Sequence, residues 1–382
     1  MKYTFIKYIL LAVIVLLRSQ NVHAAYVFYG QLKYEILSWQ DRTVAVYDIG
    51  DPRYKYMESV DIPAKIIDQS ITYKVTSIAD NAFRRCSKLA SVTIPNSVTT
   101  IGERAFYECS SLTSVTIPNS VTSIGIRAFK CRVTVDLENM YYSSIDGVLY
   151  SKDVSVLFSC PSVAQTITIP NSVTTIEDYA FKGCSSLTSV TIPNSVTTIG
   201  ERAFYNCSSL TSVTIPNSVT TIGESVFDCC SSLTSVTIPN SVTSIGKRAF
   251  FLCHKIATVY CQSILPPQDC PERDLFSDVA LANAILYVPK GRLSAYEAVD
   301  PWRNFFNIEE MEFAGVDNVG NDNGTVVTAD GDAINLGTET RYVEVYNIGG
   351  QCVFQGITNR IESLAKGVYI VKVGTVATKV II

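Results

Sequence analysis

Residues 209–231 read SLTSVTIPNSVTTIGESVFDCCS, and they are one copy of a unit that recurs along the chain. The string IPNSVT begins at Ile94, Ile117, Ile169, Ile192, Ile215 and Ile238, so successive copies lie 23, 52, 23, 23 and 23 residues apart. The longer string IPNSVTTIGERAFY stands unchanged at 94–107 and 192–205. A fixed period of this length is the signature of a solenoid, in which each unit leaves an apolar face that only its neighbours can bury.

The physics of one unit is legible. In Leu112-Thr-Ser-Val115-Thr-Ile117 the apolar Val115 and Ile117 alternate with Ser114 and Thr116, which predicts a short strand with one buried face. Pro118 has no N–H to continue the pairing. Val121 and Ile124 point back inward from the return leg, Gly125 permits a turn, and Ala128-Phe129 seals the next corner. Each coil therefore offers Leu, Val, Ile and Phe to a shared interior.

Working outward, the start of the chain carries Lys2 and Lys7 before the apolar run YILLAVIVLL (8–17), with Val22 and Ala24 as small residues before a cut. This reads as a signal peptide over 1–24; ten apolar residues make a helix of about 15 Å, half of a bilayer core. The full chain has 382 residues and a formal charge of −4, which becomes −7 without Lys2, Lys7 and Arg18. With no local basic cluster either, nucleic-acid binding is not expected. Charged residues are only 17% and apolar ones 47%, which excludes a disordered chain or a coiled coil.

The pattern L-x-x-V-x-I-P-x-x-V-x-x-I-G-x-x-A-F-x-x-C resembles the BspA-like class of bacterial leucine-rich-repeat proteins, from Tyr26 to Phe313. Within that span, IPAKI (62–66) and VTSIADNAF (75–83) form a degenerate first unit, and YYSSIDGVLYSKD (141–153) resembles a longer irregular repeat. The segments ILPPQ, ALANAILYVP and PWRNFFNI resemble a C-terminal cap. The resemblance implies a curved right-handed solenoid of short parallel strands with an irregular convex side, secretion, and attachment to host or microbial surfaces. The expected domains are a solenoid over 25–313, with caps at 25–75 and 254–313, and a Gly/Asp/Asn/Thr-rich linker over 314–340. A small antiparallel β-sandwich should follow at 341–382.

That tail alternates again, as RYVEVYNIGGQCVFQG and IESLAKGVYIVKVGTVATKVII, with a hairpin signal at Gly349-Gly350. VYNIGGQ, the run from Gly367 through Tyr369 to Val373, and Lys379 resemble the C-terminal sorting domains of the type IX secretion system of Bacteroidetes. The resemblance implies that secretion machinery recognises the tail, and that the protein lies at the cell surface, on the outer membrane or outside the cell.

Cys86 and Cys109, and then Cys184, Cys207, Cys230 and Cys253, recur at 23 residues and should form an internal column. They read as small buried residues; cross-linked pairs are an alternative, although side chains stacked in parallel suit that bond poorly. A linear column does not close a tetrahedral metal site. Cys261 and Cys270, in the cap of an exported protein, are the candidate disulfide. His254 is the single histidine after residue 24 and leaves no Ser–His–Asp or Cys–His machinery. No catalytic residue, metal or cofactor is expected. The candidate ligand face is the set of outward strand positions Ser91, Thr93, Ser114, Thr116, Ser189, Thr191, Ser212, Thr214, Ser235 and Thr237: nearly uncharged rows of hydroxyls suited to protein or glycan ligands through many weak contacts. The expected function is non-catalytic, adhesin-like binding. The alternatives are an envelope spacer without a ligand and, remotely, an enzyme with its site in the cap around Tyr287–Trp302.

Overall fold

The strand, turn and corner of each unit close into a coil in the computed structural model of the chain. It describes residues 26–47, 52–267, 270, 274–313, 328–330, 333–336, 341–347, 351–362, 364–365, 368–373 and 376–381. The signal-peptide segment 1–24 lies outside them. The chain divides into two units, residues 1–210 with 223–231 and residues 211–222 with 232–382.

In the first unit an antiparallel meander, Tyr26–Tyr29, Leu32–Ser38 and Thr43–Val46, starts the array. Thr43–Val46 pairs in parallel with Ile71–Ile78, which pairs with Thr100–Ile101 and then Ser123–Ile124. This is one side of the coils, and its strands are short because Pro-Asn-Ser and Gly bracket them. On another side Ser59–Asp61 pairs with Ser91–Thr93, Ser114–Ile117 with Arg132–Val135, and Thr166–Thr168 with Ser189–Thr191, all in parallel. The 52-residue spacing is filled by Tyr142–Ile145, Val148–Ser151 and Val156–Ser159. The first two form a hairpin turning at Asp146-Gly147, both left-handed (φ 53° and 85°), the Asp-Gly signature of a tight hairpin turn. Val156–Ser159 then rejoins the array by pairing with Thr175–Ile176.

A third side carries a ladder that sequence reading took for a corner. Amides of Asn81, Phe83 and Arg85 donate to the carbonyls of Glu103, Ala105 and Tyr107, each at 2.8 Å. Tyr179, Phe181 and Gly183 repeat the pattern onto Glu201, Ala203 and Tyr205, and Arg202, Phe204 and Asn206 onto Glu224, Val226 and Asp228. Two residues per corner are left-handed, such as Arg104 (φ 52°) with Glu108 (62°) and Arg202 (53°) with Asn206 (58°). For non-glycine residues that conformation costs roughly 1–2 kcal/mol each. The cross-coil hydrogen bonds and the ring stacking between them offset it. Phe83 and Phe106 stack at 5.1 Å, Phe106 and Phe129 at 5.4 Å, Phe181 and Phe204 at 4.6 Å, and Phe204 and Phe227 at 5.3 Å.

The glycine of the repeat has a purpose other than the turn expected for it. A Cβ on Gly200 would lie 2.5 Å from the backbone N and the Oδ1 of Asp178, and one on Gly102 equally close to Asp80. Gly125 is pressed in the same way onto Glu103. The glycine lets the next coil approach.

In the second unit Ser212–Thr214, Ser235–Ile238, Thr258–Cys261, Ile285–Pro289 and Asn307–Met311 form one five-stranded parallel sheet. Helices Asp278–Asn283 and Leu293–Glu297 with the 3-10 turn Trp302–Asn304 close its end. Trp302, Tyr296 and Phe305 are buried there, and Phe276 stacks on Phe250 at 5.3 Å. The terminal module is a sandwich: Thr328–Asp330, Ala333–Asn335 and Arg360–Ile361 make one sheet. Cys352–Thr358, Arg341–Asn347, Val368–Val373 and Val376–Ile381 make the other. Ile334, Leu336 and Ile361 from the first pack with Val343, Val345, Tyr369, Val371 and Val380 from the second. Two of these strands, Thr328–Asp330 and Ala333–Asn335, fall within the stretch 314–340 that composition reads as a linker; three residues are too short to show a period.

Denaturant unfolding of alanine variants checks this frame. Phe204→Ala should cost about 3–5 kcal/mol, and Gly200→Ala about 1–3 kcal/mol from overpacking. Gly223→Ala, where the nearest atom to the new Cβ is 3.5 Å away, and Thr214→Ala should each stay within about 0.5 kcal/mol.

Candidate binding surface

The strand frame of the repeat sends every second residue outward, and register then places equivalent residues of successive coils side by side. In the second unit Thr214 lies beside Thr237, Thr237 beside Tyr260, Tyr260 beside Tyr287, and Tyr287 beside Glu309. A parallel row runs Ser212, Ser235, Thr258, Ile285, Asn307. Val213, Val236, Val259 and Leu286 between the rows are buried. Ser212 and Thr214 are exposed, whereas Ser235 and Thr237 are half-buried as the aromatic residues begin. The rings of Tyr260 and Tyr287 stack at 5.2 Å with planes 12° apart, and Phe313 meets Tyr260 edge-on at 6.5 Å. Hydroxyls thus give way to an amphipathic aromatic group flanked by a carboxylate.

In the first unit Ser91, Thr93, Ser114, Thr116, Ser189 and Thr191 are all exposed on outward strand positions. Their neighbours alter the expectation of an uncharged face. Ser91 and Thr93 lie beside Ser59 and Asp61, and the Thr93 hydroxyl donates to the Asp61 carboxylate at 2.6 Å. Ser114 lies beside Arg132, and Thr116 beside Thr134. Ser189 and Thr191 lie beside Thr166 and Thr168. Sequence reasoning missed Tyr260, Tyr287 and Glu309, although the outward frame of Ser-Val-Thr extends directly onto Thr-Val-Tyr and Ile-Leu-Tyr.

The cysteine column is internal. The Cys109 thiol donates to the carbonyl of Phe83 at 3.0 Å, Cys207 to Phe181 at 3.1 Å and Cys230 to Phe204 at 3.2 Å. These three sulfurs therefore serve a carbonyl of the preceding coil, whereas Cys160 and Cys184 also share a side-chain hydrogen bond. Burial pushes the Cys109 and Cys131 thiols up to about 12. Cys261 and Cys270 are both free thiols in the structure. The Tyr296 hydroxyl donates to the Cys261 sulfur at 3.3 Å and to the Ser263 carbonyl at 2.7 Å, while the Cys270 thiol donates to the Pro267 carbonyl at 3.3 Å.

Arg104 pairs with Glu103 at 3.1 Å, and Arg202 with Glu201 at 3.8 Å and Glu224 at 2.5 Å, on partly exposed corners where such pairs contribute about 0–1 kcal/mol. His254 is exposed. In the cap stretch that the enzyme alternative would need, Tyr296 and Trp302 are core residues, the Trp302 indole N–H donating to the Pro267 carbonyl at 3.4 Å. Among the described residues no group of three His, Cys, Asp or Glu side chains is arranged to hold a metal ion, and no helix is long and apolar enough to cross a membrane. Of the tail residues singled out, Gly349, Gly350 and Gly367 lie outside the described residues. Tyr369 is buried with its hydroxyl donating to Ala365 at 2.7 Å, and Lys379 stands in the last strand.

The sequence matches the BspA-type leucine-rich-repeat region in six copies, over residues 57–145 and 155–266. The chain belongs to this family. Its fold is shared with the pneumococcal vaccine antigen PcpA, at 17% identity and a TM-score of 0.51, over 76% of this chain and 99% of that one. A leucine-rich cell-surface protein from Faecalibacterium prausnitzii aligns at 25% identity and a TM-score of 0.49, over 72% of this chain and 97% of that one. A leucine-rich-repeat protein from Bacteroides ovatus aligns at 22% and 0.39, over 72% and 79%. No curated protein matches the sequence significantly.

A thiol titration of the native BspA-type array tests the column. With pKa values raised far above the reagent's working pH, the thiols of Cys109 and Cys131 stay protonated at pH 8 and should react with a disulfide reagent only on unfolding. The exposed Cys352 should react at once. Rapid labelling of Cys109 or Cys131 in the folded protein would contradict the buried column.

Proposed function

We propose that this protein is an exported, non-catalytic surface protein that captures protein or glycan ligands on the outward face of its parallel sheet. The observation that carries the reading is the row Thr214–Thr237–Tyr260–Tyr287–Glu309 on one continuous five-stranded sheet. Tyrosines supply contact area at low conformational cost, and hydroxyls donate and accept without a charge to desolvate. Membership of a leucine-rich-repeat family supports binding over chemistry, and the cap stretch around Tyr296 and Trp302 is occupied by packing. The apolar start of the chain and the sandwich with Tyr369 and Lys379 support export and attachment at the cell surface, with type IX secretion machinery as the partner of the tail and Bacteroidetes as the source.

The purified protein, presented to a panel of extracellular-matrix proteins and glycans, should bind at least one saturably at micromolar concentration. A Ser212→Glu/Thr214→Glu variant should weaken that binding at least about tenfold, near 1.4 kcal/mol, without lowering the melting temperature. Binding by neither protein would favour an envelope spacer; binding equal in both would move the site off this face.

A further inference from the structure

The irregular insertion brings two corners of the first unit together, 127–131 and 179–183, and gathers cations there. The guanidinium of Arg127 lies over the ring of Tyr107 at 4.3 Å and over that of Tyr179 at 5.0 Å. The ammonium of Lys182 lies over Tyr179 at 5.4 Å and over Tyr205 at 4.9 Å. The ammonium of Lys130 lies 3.3 Å from where a Cβ on residue 183 would stand, and the residue there is Gly183. Equivalent positions of later coils are Asn206 and Cys229, so this corner alone leaves that space to an ammonium.

At two other corners the cation is paired with the residue before it, Arg104 with Glu103 and Arg202 with Glu201. Before Arg127 the place of the acid is taken by Ile126. Among the described residues no carboxylate lies within ion-pair distance of Arg127, Lys130 or Lys182. Tyrosine faces hold a cation without cancelling its charge. The Arg127 Nε is buried and has no hydrogen-bond partner, which is costly for a charged donor.

We propose that Arg127, Lys130 and Lys182 form a binding site for a tetrahedral oxyanion, a sulfate or phosphate group carried by a ligand. A guanidinium offers a two-pronged donor set and each ammonium a further donor, which fits the oxygens of such a group. Burial first, and then Arg127, Lys130, Arg202 and Arg104, pull Lys182 down to about 8, and burial lowers Lys130 too. Burial is the larger cause at both lysines; the neighbouring cations add to it at Lys182, and the buried thiols of Cys184, Cys207 and Cys160 oppose it at Lys130. A bound dianion would reverse the effect on Lys182. The site uses corner residues rather than outward strand positions, so it stands apart from the proposed ligand face.

The test is an NMR pH titration of the lysine side chains in the whole protein, in sodium chloride, sodium sulfate and sodium phosphate at matched ionic strength. In chloride Lys182 should titrate near 8. Millimolar sulfate or phosphate should raise that value saturably, with an affinity about tenfold weaker in Arg127→Gln and in Lys130→Gln, and unchanged in the remote Arg84→Gln. Tighter binding of sulfate assigns a sulfate ester as the natural group, tighter binding of phosphate a phosphate ester; a sulfated disaccharide against its unsulfated form checks the first. A Lys182 titration identical in all three salts, or an anion response undiminished in both folded variants, would overturn the proposal.

Discussion

The stacking of one coil on the next, residue n over residue n + 23, is the constraint from which the rest of the structure follows. A unit of this length cannot enclose its own Leu, Val, Ile and Phe, and its backbone groups find few partners within the coil. Both needs are met by the neighbour. Parallel strands pair on two sides, and on the third the amides around each Ala-Phe donate to the next corner. The left-handed residues are the geometric consequence. They turn successive N–H groups along the stacking direction while the phenylalanine between them points into the core. The glycines at 102, 125 and 200 and the thiols behind the corners obey the same demand. The glycines remove a Cβ where two coils nearly touch, and the thiols of Cys109, Cys207 and Cys230 donate to a carbonyl one coil back.

Such register copies outward residues as faithfully as inward ones. Rows of serine and threonine are thus what duplication alone would give, and what departs from the copy is more informative. Tyr260 and Tyr287 stand where threonine stands in earlier coils, and they pair with each other on a continuous sheet. Ile126 stands where Glu103 and Glu201 stand in two other coils, leaving Arg127 without the partner that Arg104 and Arg202 have. Both departures lie where the repeat is irregular, the first in the cap and the second beside the insertion. Function in a solenoid is expected at such places, because a uniform face offers a ligand no preferred position.

Much of the fold was legible because its signals are periodic. Alternating Val and Ile, the proline that ends each strand, and Phe at a fixed offset define coil, core and outward face. The third ladder was hidden because Arg, Tyr, Asn and Ser occupy its left-handed positions where glycine would have announced them. The role of the glycine was misread because its reason lies in the neighbouring coil, and sequence proximity suggests a turn instead. The strands at 328–335 escaped because three residues carry no period. Of the candidate surface, the alternation within Ser-Val-Thr makes the hydroxyl positions legible, whereas Tyr260, Tyr287 and Glu309 were missed when the strand frame was not carried into the cap. The cation corner depends on a contact between residues some 50 apart, created by an irregular insertion that no repeat pattern encodes.

Native-state hydrogen exchange of the whole protein addresses the stacking constraint directly. The amides of Tyr179, Phe181, Arg202 and Phe204 donate across coils at 3.0, 2.7, 3.0 and 2.9 Å, so they should exchange as slowly as that of Gly200, which donates to the Ile176 carbonyl at 2.8 Å beside the paired strands. Exchange of these corner amides at the rate of exposed loops would contradict a coil held on three sides. It would leave a two-sided stack whose left-handed residues have no compensation.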